Sequence, residues 1–169
     1  MIKLIGILLI ILLGWMVGCE LRSRLKARYE LICSIDNFCC RMVSMVRFEK
    51  LPLDRIISRI IHGASDKTEF IKTCAGRIEA GDHFHSAWDY TVSNSRDLKV
   101  LKPDEREDLR RLGRSLGRSD IDGEISLIEG YRNRINPLRE AAMEEFKNKG
   151  RAVQNCCLLA GIFLAIVIL

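Results

Sequence analysis

The apolar residues of the chain fall into three zones. Leu4 to Cys19 and Ala152 to Leu169 carry no charged side chain, whereas the stretch between them mixes apolar and polar residues at helical spacing. As helices rising ~1.5 Å per residue, the two uncharged zones would extend roughly 24 and 27 Å. That is a little short of a hydrocarbon core of ~30 Å, and Lys3, Arg22 and Arg151 at their edges can snorkel to stretch the fit. The pattern predicts a transmembrane helix at each end.

Between the spans the periodicity is helical throughout, with no strand-like alternation. Leu21, Leu25, Ile32, Ile35, Cys39, Met42 and Val46 recur at three- and four-residue steps, so the first span should continue unbroken into a long amphipathic helix. Pro52 ends it by disfavouring helical backbone at Leu51. A second helix opens with Pro52 in its first turn, buries Leu53, Ile56, Ile57, Ile60 and Ile61, and stops at Gly63. A third, with Asp66 and Glu69 as its capping box, presents Phe70, Ile71, Cys74 and Ile78 and stops at Gly81.

The fourth helix runs around Phe84 to Val92 and centres on Trp88, expected as core. After the polar loop "SNSRD" a fifth starts at Pro103, with Asp104, Glu105, Glu107 and Asp108 near its positive end and Leu109, Leu112 and Leu116 as its buried stripe. A Schellman-type turn at Gly117 closes it, and Ser119 or Asp120 caps the sixth. That last helix carries Ile121, Ile125, Ile128, Ile135, Leu138, Ala142 and Phe146 straight into the tail. Pro137 costs it the hydrogen bond to the Asn133 carbonyl and should bend it. The expected fold class is all-α: a cytoplasmic helical bundle of about six helices (residues 21–151) flanked by N-terminal (1–20) and C-terminal (152–169) transmembrane helices.

Charge sets the orientation. All 22 acidic residues and all but Lys3 of the 27 basic ones lie between Glu20 and Arg151, a net of +4. The excess gathers in two collars, Arg22, Arg24, Lys26 and Arg28 after the first span and Lys147, Lys149 and Arg151 before the second. The positive-inside rule then places the middle in the cytoplasm and both termini outside. The same rule argues against reading residues 1–18 as a cleaved secretory signal. Gly18-Cys19 ends like a lipobox, but four basic residues follow, and lipoprotein processing is not expected. The last span is read as an anchor whose outer end needs no polar cap. Basic collars beside an inner leaflet gain about 1 kcal/mol per residue from anionic lipid, so membrane lipid, not nucleic acid, accounts for the basic balance.

Chemistry is sparse. Seven cysteines without a C-x-x-C pair, in a chain with a cytosolic centre, read as free thiols. His83 and His85 stand two apart and so point to different helix faces, and no third ligand is spaced to join them. No P-loop, G-x-S-x-G or H-E-x-x-H occurs. No catalytic residue, cofactor or metal is therefore expected. The acidic cluster "PDEREDLRR" reads as a solvated face, with Arg106, Glu107 and Arg110 as candidates for docking a partner. Two other classes stay open: a membrane-tethered enzyme, which would have to rest on His62, His83 and His85, and a membrane-tethered nucleic-acid binder, whose affinity would fall steeply with salt.

An ordered set of features now resembles a known family. A span, "LPLD" (Leu51 to Asp54) opening the second helix, Trp88 in a short fourth helix, "LRRLGRSLG" (Leu109 to Gly117), and a final helix running into "LLAGIFLAIVIL" look like the stage III sporulation protein AB family of endospore-forming bacteria, over essentially the full chain. That family is similar in its helical domain to platform protein F of type II secretion machines. The resemblance implies a non-enzymatic platform in the complex joining mother cell and forespore, sited in the outer forespore membrane with its centre in the mother-cell cytoplasm. It also implies partners: other components of that complex, a cytosolic secretion-type ATPase docking on the central helices, and copies of the chain itself within the assembly. Pro137 and the cysteines depart from the family's pattern.

Overall fold

The structure, a computed structural model, describes residues 2–49, 55–56, 59–60 and 68–168. Helices account for nearly all of them, and no strand occurs among the described residues. In chain order they are α1 (Ile2–Glu49), α2 (Glu69–Glu79), α3 (Phe84–Asn94), a 3-10 turn (Asp97–Val100), α4 (Pro103–Ser115), α5 (Ile121–Glu144), a π turn (Glu145–Lys149) and α6 (Gly150–Ile168). The all-helical reading holds, and so does the unbroken first helix. Among the described residues no helix is long and apolar enough to cross a membrane, so neither expected span is shown.

The chain divides into two compact units, one of Met1–Tyr29 with Arg139–Leu169 and one of Glu30–Leu138.

The unit Glu30–Leu138 has an aromatic centre. Trp88 is 1% exposed, and the rings of Phe38, Phe70 and Phe84 surround it with centroids 6.1, 5.1 and 5.5 Å from its own. The expected stripe of α1 is buried from Ile32 through Ile35, Cys39, Met42 and Val46, but its first members are not: Leu21 is 40% exposed and Leu25 half-buried. The stripe of α4 (Leu109, Leu112, Leu116) is buried, as are Ile125, Ile128 and Ile135 of α5. Ile121, read as the first core residue of that helix, is instead 39% exposed, because it occupies the first turn, where the chain is still entering the helix. Of the expected second helix, residues 55–56 and 59–60 are helical, with Ile56 and Ile60 buried. Pro52, Leu53, Ile57, Ile61 and Gly63 lie outside the described residues.

Helix ends follow identifiable bonds. At Gly81, with φ at 102°, the Asp82 and Gly81 N–H groups donate to the Arg77 and Ile78 carbonyls, the double bond of a Schellman turn. At Gly117 the expectation of the same motif fails. The residue does have φ at 81°, but its N–H donates to the Glu124 carboxylate at 2.7 Å, so a side chain from the next helix takes the place of a carbonyl. Asp120 caps α5 as expected, accepting the Gly123 N–H at 3.1 Å. α5 passes through Pro137 without interruption. Pro137 and Asn133 both face solvent, so water can satisfy the carbonyl that proline leaves free.

The other unit pairs the start of α1 with the π turn and α6. The pairing is close: a Cβ at Gly14 would lie 2.8 Å from the Cys157 carbonyl oxygen, and one at Gly18 would lie 3.1 Å from Gln154 Cα. Glycine at these two positions therefore lets the backbones approach.

Candidate functional site

Two of the three residues read from sequence as a docking surface, Glu107 and Arg110, fall on one face shared by α3 and α4. Arg110 is half-buried and bridges the two helices, its guanidinium donating to Ser93 Oγ at 2.9 Å and pairing with Glu107 at 3.3 Å and Asp89 at 3.5 Å. Arg114 adds a second pair to Asp89 at 3.1 Å. Glu107 also reaches Arg111 at 3.8 Å. Arg106 is half-buried, and its Nε has no hydrogen-bond partner. So Glu107 and Arg110 are brought into one network, and Arg106 stands outside it. Much of the donor capacity of Arg110 is used internally; Arg111 and Arg114, with side chains 71% and 54% exposed, are more available to a partner.

Not all of the acidic cluster is a solvated face. Glu105 is buried, and its Oε2 accepts the Lys102 N–H at 2.9 Å. It caps α4 and so holds the start of the charged face in place. Asp97, in the polar loop, does the same for α2. Its Oδ2 accepts the Phe70 N–H at 2.9 Å, while the N-cap Thr68 makes no side-chain bond. The expected capping box of α2 is thus replaced at Phe70 by a loop residue 27 positions away; Asp66 lies outside the described residues.

The basic collars divide between two environments. Arg28 is buried and pairs with Glu145 at 2.8 Å, and Lys149 reaches the other oxygen of that carboxylate at 3.2 Å. Arg22 donates to Gln154 Oε1 at 2.9 Å and lies over the Phe146 ring. Gln154 in turn donates to Cys19 Sγ at 3.7 Å. These groups form a polar seam that ties the first helix to the last. Arg24 pairs with Glu20 at the surface, and Lys26 and Lys147 are exposed. The side chain of Arg151 lies outside the described residues.

Two buried acidic groups escaped the sequence reading. Asp36 is 5% exposed and accepts from Arg132 Nε at 2.8 Å; that hydrogen bond holds the guanidinium protonated even more firmly than usual. An aspartate interrupting the apolar stripe of α1 was the available signal. Glu124, 6% exposed, accepts three consecutive backbone N–H groups from Gly117, Arg118 and Ser119. The pattern of three donors on one oxygen is a tertiary arrangement that no spacing rule announces.

The two fully buried thiols of the bundle, Cys39 and Cys74, are held neutral. All seven cysteines are free. Burial, with a smaller contribution from the Asp36 charge, pushes Cys39 up to about 12, and burial pushes Cys74 up to about 12. Burial raises the Tyr131 hydroxyl as well. His83 is exposed, and His85 packs its ring against Phe84 at 5.4 Å. Among the described residues no group of three or more His, Cys, Asp or Glu converges as a metal site would.

The sequence profile of the stage III sporulation protein AB family matches residues 3–169. The chain belongs to this family. Membership ties it to sporulation. No curated protein and no solved structure matches the chain significantly. In this family member the candidate features are a paired-helix unit knit by a polar seam and a bundle that presents the α3–α4 charged face.

Proposed function

We propose that this stage III sporulation protein AB family member is a non-enzymatic membrane platform of the mother cell to forespore complex. The uncharged zones of α1 and α6 insert side by side in the outer forespore membrane. The bundle stands in the mother-cell cytoplasm and docks a cytosolic secretion-type ATPase through its charged face.

The observation that supports this reading is the contrast within the paired-helix unit. Leu9, Leu12, Leu13, Trp15, Met16, Val17, Leu159 and Phe163 are each more than half exposed, while the polar residues Arg22, Arg28, Glu145 and Gln154 face one another. An uncharged apolar exterior over residues 9–17 and 159–163 is the arrangement that lipid favours, and the polar seam ties the two helices together beside it. The basic collar residues left at the surface, Arg24, Lys26 and Lys147, suit anionic headgroups.

Topology tests the reading. Cys39 and Cys74 are buried, so the reporter is a cysteine at exposed Ser86, in a variant lacking Cys19, Cys33, Cys40, Cys156 and Cys157. A membrane-impermeant maleimide should label Ser86→Cys only after cells are opened. Labelling of intact cells, or recovery of the protein without membranes, would overturn the proposal.

A further inference from the structure

Gly130 lies well inside α5, yet a Cβ there would meet nothing within 4 Å. No packing contact asks for glycine, and glycine inside a helix is less stable than alanine. The bare backbone instead helps to line a groove of about 230 Å³ between α4 and α5. Leu127 adds apolar surface to it, Ser115 and Ser126 add hydroxyls, and Arg111 and Arg134 add charge. Both arginines are exposed. Arg111 has only the distant Glu107 carboxylate at 3.8 Å, and Arg134 lies 5.9 Å from the Tyr131 ring and has no ion pair among the described residues.

Two exposed guanidiniums, two hydroxyls and an apolar strip left open by a glycine make a receptor for carboxylate side chains; Glu105 and Asp108 lie on the other side of Arg134 and form no ion pair with it. Each guanidinium fork can donate two parallel N–H bonds to one carboxylate, a geometry that lysine cannot supply. A nucleic-acid backbone fits less well, because Glu107 and Glu129 stand on the same two helices and interrupt any continuous basic track.

We infer that this groove receives an acidic segment of a protein partner, with carboxylates pairing to Arg111 and Arg134 and a small apolar residue lying over Gly130. The inference rests on the platform reading and deepens it by naming a surface through which the partner is held.

The test uses the full chain in detergent micelles and a fluorescein-labelled peptide of Glu, Leu and Ala with its glutamates on one helical face. A matched peptide with Gln for Glu, a single-stranded oligonucleotide and anionic-lipid vesicles are the comparison probes. The Glu peptide should bind, and the Gln peptide should bind at least about tenfold more weakly, as expected for the loss of charge-assisted pairs. Arg111→Glu with Arg134→Glu, and separately Gly130→Leu, should each weaken the Glu peptide at least about tenfold without lowering the melting temperature, and the doubly reversed variant should gain affinity for a Lys version. Failure of the native chain to bind the Glu peptide overturns the inference. So does unchanged binding by both variants, or a groove-dependent signal seen with oligonucleotide or vesicles alone.

Co-purification of the sporulation ATPase separates the two readings. If the native chain retains the ATPase but does not bind the Glu peptide, the groove assignment falls and the platform stands. If the Glu peptide needs the groove but the native chain retains no ATPase, the platform falls and the groove stands.

Discussion

Trp88 and Gly113 compete for one space: a Cβ on Gly113 would lie 2.1 Å from Trp88 Cδ1. The indole N–H donates to the Leu109 carbonyl at 3.0 Å, so α4 receives the ring with a backbone acceptor and a missing side chain one turn apart.

Gly113→Ala sets two effects against each other. Alanine gains about 1 kcal/mol of helix propensity, while overpacking a buried ring costs about 1–3 kcal/mol. At 2.1 Å the clash should win, leaving a net loss of up to about 2 kcal/mol in chemical denaturation. Gly130→Ala, with nothing nearby, should instead gain about 0.5–1 kcal/mol. Equal stability of the two variants would mean that Trp88 can swing aside.

Glu124 holds the turn between α4 and α5 by accepting three N–H groups. Glu124→Ala leaves those donors without their acceptor, and we expect a loss of about 2–4 kcal/mol, since hydrogen bonds to a charged group contribute about 1.5–3 kcal/mol each and the loss is softened by solvent at this exposed turn. Glu124→Gln keeps an acceptor oxygen and should lose about half as much. Hydrogen exchange at Gly117 to Ser119 should speed up in the alanine variant; unchanged exchange would remove the assigned role.

Removing Glu145 should matter more than removing Glu20. Glu145→Ala leaves the buried Arg28 charge and Lys149 without a shared carboxylate, and breaking such a pair costs about 2–3 kcal/mol once the partial exposure of Glu145 is allowed for. The Arg24–Glu20 pair is exposed on both sides, and Glu20→Ala should change stability by less than about 0.5 kcal/mol. Denaturation of both variants in the same detergent makes the comparison.

In the folded protein at pH 8, the half-buried Cys33 and Cys40 should react with a thiol reagent well before the buried Cys39 and Cys74. The buried thiols are neutral, with pKa raised from 9.0 to about 12. A raised folded pKa means that their burial stabilises fully below pH 9 and that this contribution is lost as the pH rises from 9 through 12. Replacing both with alanine-sized or valine side chains should flatten the stability profile in that window. A profile as steep as that of the native chain would place the alkaline sensitivity elsewhere.

Much of the bundle was legible because its helices are marked by local signals. The stripes of α1 and α4, the proline opening α4, the glycine closing α2 and the Asp120 cap of α5 all act within one or two turns of the backbone. The candidate docking face was only partly legible: Arg106, Glu107 and Arg110 were chosen for their charge, but which of them is spent on internal bonds depends on Asp89 and Ser93 of another helix.

By itself, then, the sequence determined the all-helical class, the three-zone division of charge, the continuous first helix and the family, since each is a property of residue order and periodicity. Tertiary structure decided the roles of Glu105, Asp97 and Glu124 as caps, the place of Arg28 inside a seam, and the packing need for glycine at position 113. A hydrogen bond or a clash between residues tens of positions apart depends on how the helices pack, and local pattern carries no record of that distance.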